Sequence, residues 1–294
     1  MQDLKVDLVK LLRLEAAGER VFVGESPDVG WKRVYGGQVV AQALAAAYRT
    51  VDADVHVHSL HCYFLIGGDP RQPIRYEVEP LRDGRSFRTR RVVARQNGEA
   101  IFAFAASFHK EETAYDHQLD MPDVPMPEDL PDEREILARH GDRIDPTVRR
   151  LLERGPSLDC IEMRVVDYMH YVTVARTPPR QYVWLRARGD FPDDRGFAEA
   201  VLAYLSDWSL IETGLLPHGR LLVDPAIQAA SLDHALWFHR PFKAGEWFLY
   251  AEDSPSNFGG LALARGQIFT RDGTLVASAA QEGLLRLRDP ARKA

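Results

Sequence analysis

The order of segments in this chain occurs twice, and that repeat limits the fold more than any bulk property does. Tyr35-Gly36-Gly37 opens the run GQVVAQALAAAY, whose small and apolar residues fit a buried helix with glycines at its start. The runs HSLHCYFLI, PIRYEVEPL, SFRTRRVVARQ and AIFAFAASFHK follow, rich in β-branched and aromatic residues. Turn signals at Gly67-Gly68-Asp69, Arg82-Asp83-Gly84 and Gln96-Asn97-Gly98 separate them, which is the pattern of an antiparallel meander. The second half begins with the strand candidates CIEMRVVDY and QYVWLRARG. A helix is then expected over 197–213 in FAEAVLAYLSDWSLIETGL, after the turn signal Pro192-Asp193-Asp194. AASLDHALWFH, GEWFLYAED, LALARGQIFT and TLVASAAQEGLLRLR complete a second meander, with Arg271-Asp272-Gly273 as a hairpin turn. A central helix wrapped by an antiparallel sheet, present twice, predicts an α+β fold made by duplication, with the two sheets joined side by side. Setting the halves about 174 residues apart aligns Ala105-Ala106-Ser107 with Ala279-Ala280-Gln281.

Residues 1–115 are expected to form the first unit and 158–294 the second. Between them, 116–157 read as an acidic linker with a helical segment, because Pro122, Pro125, Pro127 and Pro131 interrupt any continuous helix or ladder. At the N-terminus, Leu4, Leu8, Leu11 and Leu12 fall on one helix face, while Asp3 and Asp7 break the apolar stretch that a secretory signal requires. No run reaches the roughly 18 apolar residues that span a bilayer, and Arg292-Lys293-Ala294 is not a peroxisomal address. Cys62 and Cys160 lie far apart without CxxC spacing, so no disulfide framework or thiolate zinc site is expected and a reducing, cytoplasmic setting fits. With 37 basic against 43 acidic residues, no field exists to gather nucleic acid or anionic membrane.

Asp207 is the most informative single residue. On a helix through 213 its carboxylate shares a face with Ala200, Ala203, Tyr204 and Ile211. Two roles stand open there: a local cap near the helix end, or a desolvated general base with a raised pKa. Gln281 alternates with Ala277, Ala279 and Gly283, which leaves space above it; it either satisfies the core or orients a water or a carbonyl. Ser231, Asp233 and His234 supply the residue types of a triad, but strand alternation points His234 away from the other two, and no G-x-S-x-G occurs. His56, His58 and His61 do not share a strand face, and no P-loop or G-x-G-x-x-G is present, so no metal or nucleotide cofactor is called for.

Seven segments, in order, carry a resemblance over nearly the whole chain: LLRLEAAGERVFVGES, VYGGQVVAQAL, HSLHCYFL, LRDGRSFRTRRVVARQNG, LPHGR, AASLDHALWFHRPF and DGTLVASAAQEGLLR. Together they are similar to the acyl-CoA thioesterase II family. That resemblance implies a double hotdog fold, in which each half wraps its sheet around a long helix and the halves pair into one continuous sheet. It also implies an Asp, a Thr or Ser and a Gln that hold the hydrolytic water, which match Asp207, Ser231 and Gln281 here. Ser231 keeps the hydroxyl of the frequent Thr and loses a methyl that restricts rotation. Homo-oligomers are common in the family.

The expected reaction is hydrolysis of acyl-CoA to fatty acid and CoA, with Asp207 as general base, Ser231 and Gln281 aiming the water, and no acyl-enzyme. The backbone N–H groups of Gly36 and Gly37, at a helix start, are candidate oxyanion donors. Arg88, Arg90 and Arg91 either meet the CoA phosphates or form a solvated strand face. Ser107 stands where the repeat places Gln281, which predicts one competent site per chain. Two alternatives accompany this reading: a non-catalytic acyl-CoA-binding protein of the same fold, and an enoyl-thioester hydratase.

Overall fold

The computed structural model describes residues 6–27, 29–146, 148–149 and 159–288. The expectations for Leu4, for residues 150–157 of the linker and for the C-terminal tripeptide lie outside that range. The first half holds β1 (Glu15–Gly18), β2 (Val21–Gly24), β3 (Val55–Phe64), β4 (Ile74–Asp83), β5 (Phe87–Gln96) and β6 (Glu99–Lys110), with a helix over Gly36–Tyr48. The second half holds β7 (Ile161–Val165), β8 (Arg180–Ala187), β9 (Ile227–Ser231), β10 (Asp233–Phe238), β11 (Phe248–Phe258), β12 (Leu261–Thr270) and β13 (Leu275–Leu287), with a helix over Arg195–Leu205. Short helices cover Leu8–Leu12, whose Leu8 and Leu12 are buried, and Glu133–His140 in the linker, where Asp132 and Glu135 form a capping box. No helix among the described residues is long and apolar enough to cross a membrane.

All strands belong to one open sheet in the order β1-β2-β4-β5-β6-β3-β10-β13-β12-β11-β8-β7, with β9 attached to β13. Read from either end, the order presents equivalent strands, so the duplication seen in the sequence is a structural one. Its centre is the antiparallel pairing of β3 with β10, where His61 faces Ala235 and Leu60 faces Leu236. This is the double hotdog architecture.

The two central helices pack against each other. A Cβ on Gly37 would lie 2.4 Å from the Tyr204 carbonyl oxygen, and one on Gly196 would lie 3.1 Å from the Tyr48 ring. The start of each helix therefore meets the end of the other, and the pair is antiparallel. The first helix is buried on nearly every side, with Val40, Ala41, Ala43 and Leu44 fully inaccessible, as its almost continuous apolar sequence requires.

Three local expectations are corrected, and one hairpin is added. The second helix stops at Leu205 rather than 213, because Ser206 turns its hydroxyl back to the Ala203 carbonyl and toward His234 while its own carbonyl accepts from the Tyr250 hydroxyl. The run AASLDHALWFH is two strands, since β9 pairs only with β13, whereas β10 is inserted between β3 and β13. The N-terminal hairpin β1–β2 leaves no mark in the sequence pattern, since β1 is exposed along its length and lacks alternation. Finally, the register of the repeat slips by one. Ala106 (2 % exposed) points inward as Gln281 (1 %) does, while Ser107 lies on the other face of β6. Aligning the turn glycines Gly98 and Gly273 gives the same match, and a slip of one residue exchanges the two faces of a strand.

Candidate active site

Asp207 lies two residues beyond the end of the second helix, in the tight turn that leads to a 3-10 segment at Leu210–Gly214. The turn inserts its carboxylate between the start of the first helix and β13. Gln281 Nε2 donates to Asp207 Oδ1 at 2.5 Å. The Ser231 hydroxyl and the Gly37 backbone N–H lie near enough to the same carboxylate to lower its pKa. Asp207, Ser231 and Gln281, distant in sequence, therefore converge as expected.

Each neighbour is positioned by its own element. Ser231 ends β9 opposite Gly283, just before the chain bends at Leu232 to enter β10. Gln281 stands on the inner face of β13, two residues from Gly283, whose missing side chain is replaced by Ile211: a Cβ there would fall 1.9 Å from Ile211 Cδ1. At Gly36 a Cβ would fall 2.5 Å from Asp207 Oδ2, so the first helix must begin with glycine for the carboxylate to fit.

Burial dominates the electrostatics of the site. It pushes the Asp207 pKa up to about 6, against the opposing pull of the Gln281, Gly37 and Ser231 hydrogen bonds. A carboxylate can only accept, so the Gln281 amide must present its nitrogen to Asp207 and its oxygen elsewhere. That oxygen, Gln281 Oε1, is buried without a partner in the protein. The Gln281 hydrogen bond leaves acceptor positions of the carboxylate open. The arrangement thus holds a basic acceptor and an unpaired acceptor side by side, which suits a small donor such as water.

The site opens into a cavity of about 810 Å³, a volume suited to a small-molecule ligand. Its wall is mainly apolar, with Val39, Ile101, Phe102, Ile211 and Leu222 among the lining residues. The stretch before the first helix forms one side. Tyr35 donates from its hydroxyl to the Tyr204 carbonyl at 2.8 Å, and Trp31 stacks on Trp208 at 6.3 Å between centroids. Sequence reasoning missed this aromatic group, although Tyr35 directly precedes the two glycines. His234 lies behind the site, 1 % exposed, with burial pushing its pKa down to about 4, so it is a neutral partner of Ser206. Cys62 is buried, contacts the His234 carbonyl and has its thiol pKa raised by burial and by Asp207.

The other predicted residues are placed differently. The Gly37 N–H lies beside the Asp207 carboxylate and draws its pKa down. Arg90 is 3 % exposed and saturated by Thr50, Asp83 and the Arg82 and Thr89 carbonyls; a buried guanidinium so enclosed has nothing left to offer a phosphate. Arg88 pairs with Asp52, and Arg91 pairs with Glu79. Asp52 and Thr50 follow the end of the first helix, a 13-residue element about 20 Å long, whereas Asp207 abuts its start. Arg88 and Arg90 therefore belong to the opposite end of the helix pair, beside a second hollow of about 380 Å³ lined by Tyr48, Asp52 and Arg195. No group of three His, Cys, Asp or Glu among the described residues is arranged to hold a metal.

Comparison with known proteins agrees with this architecture over the full chain. An acyl-CoA thioesterase family model matches residues 162–284, and an acyl-CoA thioesterase N-terminal domain model matches residues 24–109. The acyl-CoA thioesterase 2 of Haemophilus influenzae is 40% identical over 290 residues, covering 98% of this chain and 100% of that protein. The human acyl-coenzyme A thioesterase 8 is 40% identical over 97% of this chain and 91% of its own length. Among solved structures, an acyl-CoA thioesterase II from Mycobacterium marinum superposes with a TM-score of 0.78 at 38% identity, covering 96% of this chain and 99% of the other.

Proposed function

We propose, from the premise that this chain belongs to the acyl-CoA thioesterase II family and hydrolyses acyl-CoA thioesters, that the hydrolysis is a direct attack by water held between Asp207, Ser231 and Gln281. The observation that carries this reading is the Gln281 amide: its nitrogen is committed to Asp207, and its buried oxygen is left unpaired beside that carboxylate. A water donating one proton to Asp207 and the other to Gln281 Oε1 has its lone pair directed outward, toward a thioester carbonyl in the cavity. Asp207 takes the proton as the C–O bond forms, and CoA leaves as the thiolate when the tetrahedral intermediate collapses. The product is the free acid, and no covalent enzyme intermediate forms.

The acyl chain occupies the apolar part of the cavity, against Ile211 and Leu222. Gly37 helps to keep the base ionised, and Gly36 provides the space in which the base sits. One site operates per chain, since Ala106 replaces Gln281 in the first half and offers no amide. The division into units at 1–115 and 158–294, with the linker at 116–157, is supported by the gap between β6 and β7. A cytoplasmic setting is supported by two buried free cysteines, and a homo-oligomer by the exposed Tyr63 and Trp237 on the outer face of the central strands.

Asp207→Asn tests the central role. CoA release followed with a thiol reagent is expected to fall by a factor on the order of 10² or more, with the melting curve retained. Turnover equal to that of the wild type removes Asp207 from the role of base.

A further inference from the structure

The cavity at Asp207 is electrically lopsided. Among its described lining residues the only cations are Lys32 and Arg33, both exposed at the rim, and the only anion is Asp207, buried inside. Neither Lys32 nor Arg33 makes an ion pair among the described residues, and the nearby Asp69 is already engaged by Arg71. The backbone that carries them is tied down. Val34 N–H donates to the Gly68 carbonyl at 2.9 Å, tying the segment to the Gly67-Gly68 turn. The stem of Arg33 lies across Gly67 so closely that a Cβ there would be 2.6 Å from Arg33 Cδ. A side chain at Gly67 would push the arginine from this position.

We infer that Lys32 and Arg33 dock the phosphate groups of the CoA half of the substrate, since Arg88 and Arg90 belong to the opposite end of the helix pair. The inference rests on reading the Asp207 cavity as the thioester site. Arg33 precedes Gly36 by three residues, so their Cα atoms are at most about 11 Å apart, and Gly36 abuts Asp207 Oδ2. The phosphates at the rim and the thioester at the carboxylate are then separated by a distance that the pantetheine arm bridges, with the acyl chain continuing inward along the apolar wall. The chain as a whole carries a net charge of −6 and repels a polyanionic substrate, so attraction must be local. Arg33 offers a planar fork that matches phosphate oxygens, and Lys32 adds a mobile point charge.

The test compares two substrates that share an acyl group, one an acyl-CoA and the other the corresponding acyl-pantetheine, which lacks the phosphates. For K32A/R33A the KM for acyl-CoA should rise at least about tenfold, since charge-assisted hydrogen bonds of this kind each contribute on that order. The loss on acyl-pantetheine should be several-fold smaller. K32E/R33E should extend the KM effect, and added salt should raise the wild-type KM for acyl-CoA more than that of the double variant. Equal losses on both substrates, or an unchanged KM for acyl-CoA, overturn the assignment. Binding of free CoA to Asp207→Asn separates this from the catalytic reading: tight binding abolished by K32A/R33A upholds the rim even if Asp207 proves not to be the base, and binding indifferent to the rim residues overturns it.

Discussion

At Asp207 a dominant effect of burial is opposed by smaller effects of its polar neighbours. Burial raises its pKa, while Gln281, Gly37 and Ser231 hold it near 6, so the base form prevails at neutral pH yet remains basic enough to accept a proton. The kcat/KM profile should therefore fall about tenfold per pH unit below about 6 and level off above it. Gln281→Ala removes one of the donors that lower this pKa. It should reduce kcat with little change in KM and move the acidic limb of the profile to higher pH. A loss confined to KM would make Gln281 a substrate-binding residue. Ser231→Thr tests the missing methyl: it restricts the hydroxyl to fewer rotamers and should alter kcat without moving the limb far.

Between elements, the site depends on how closely two antiparallel helices approach. Gly36 and Gly37 are adjacent but face different obstacles, one a carboxylate tip and the other a backbone carbonyl. Gly36→Ala displaces Asp207 and should lower kcat more than it lowers the melting temperature. Gly37→Ala drives a methyl against the Tyr204 carbonyl, which cannot rotate away, so about 1–3 kcal/mol of stability should be lost along with activity. Chemical denaturation of the two variants distinguishes these outcomes. The end of the second helix was not readable from its sequence, because FAEAVLAYLSDWSLIETGL keeps a helical pattern past Leu205. What stops it is a set of tertiary bonds from Ser206 to His234 and Tyr250, residues supplied by β10 and β11.

Across the molecule, the turn that carries Asp207 rests on a buried acidic group. Ser209 donates to Glu252 Oε1 at 2.5 Å and Gln181 Nε2 to Oε2 at 2.6 Å, while Glu212 accepts from the Tyr171 hydroxyl at 2.8 Å. Burial pushes the Glu252 pKa up to about 8 from an ordinary value of 4.5. The folded state therefore prefers protonated Glu252. This contribution is fully present below the unfolded pKa and is lost as pH rises through the folded one, a window from about 4.5 to about 8. Glu252→Gln lacks that titration, so its stability relative to wild type should increase between pH 5 and pH 8. Urea midpoints at the two pH values check this, and a constant difference would mean that Glu252 does not titrate in that range.

The repeated order of helix and strands was determined by the chain alone, because alternation, helical spacing and turn glycines act over a few residues and leave their mark locally. The trio Asp207, Ser231 and Gln281 was named by motif, but the residues themselves left a local cap and a base equally open. Only the folded chain decided that Ala106 and not Ser107 matches Gln281, that Arg90 is buried among Thr50 and Asp83, and that Lys32 and Arg33 stand at the mouth. Each of these depends on which strand pairs with which, and on which end of an antiparallel helix pair a residue occupies. Such partners are chosen by the packing of distant segments, and no short-range pattern records them.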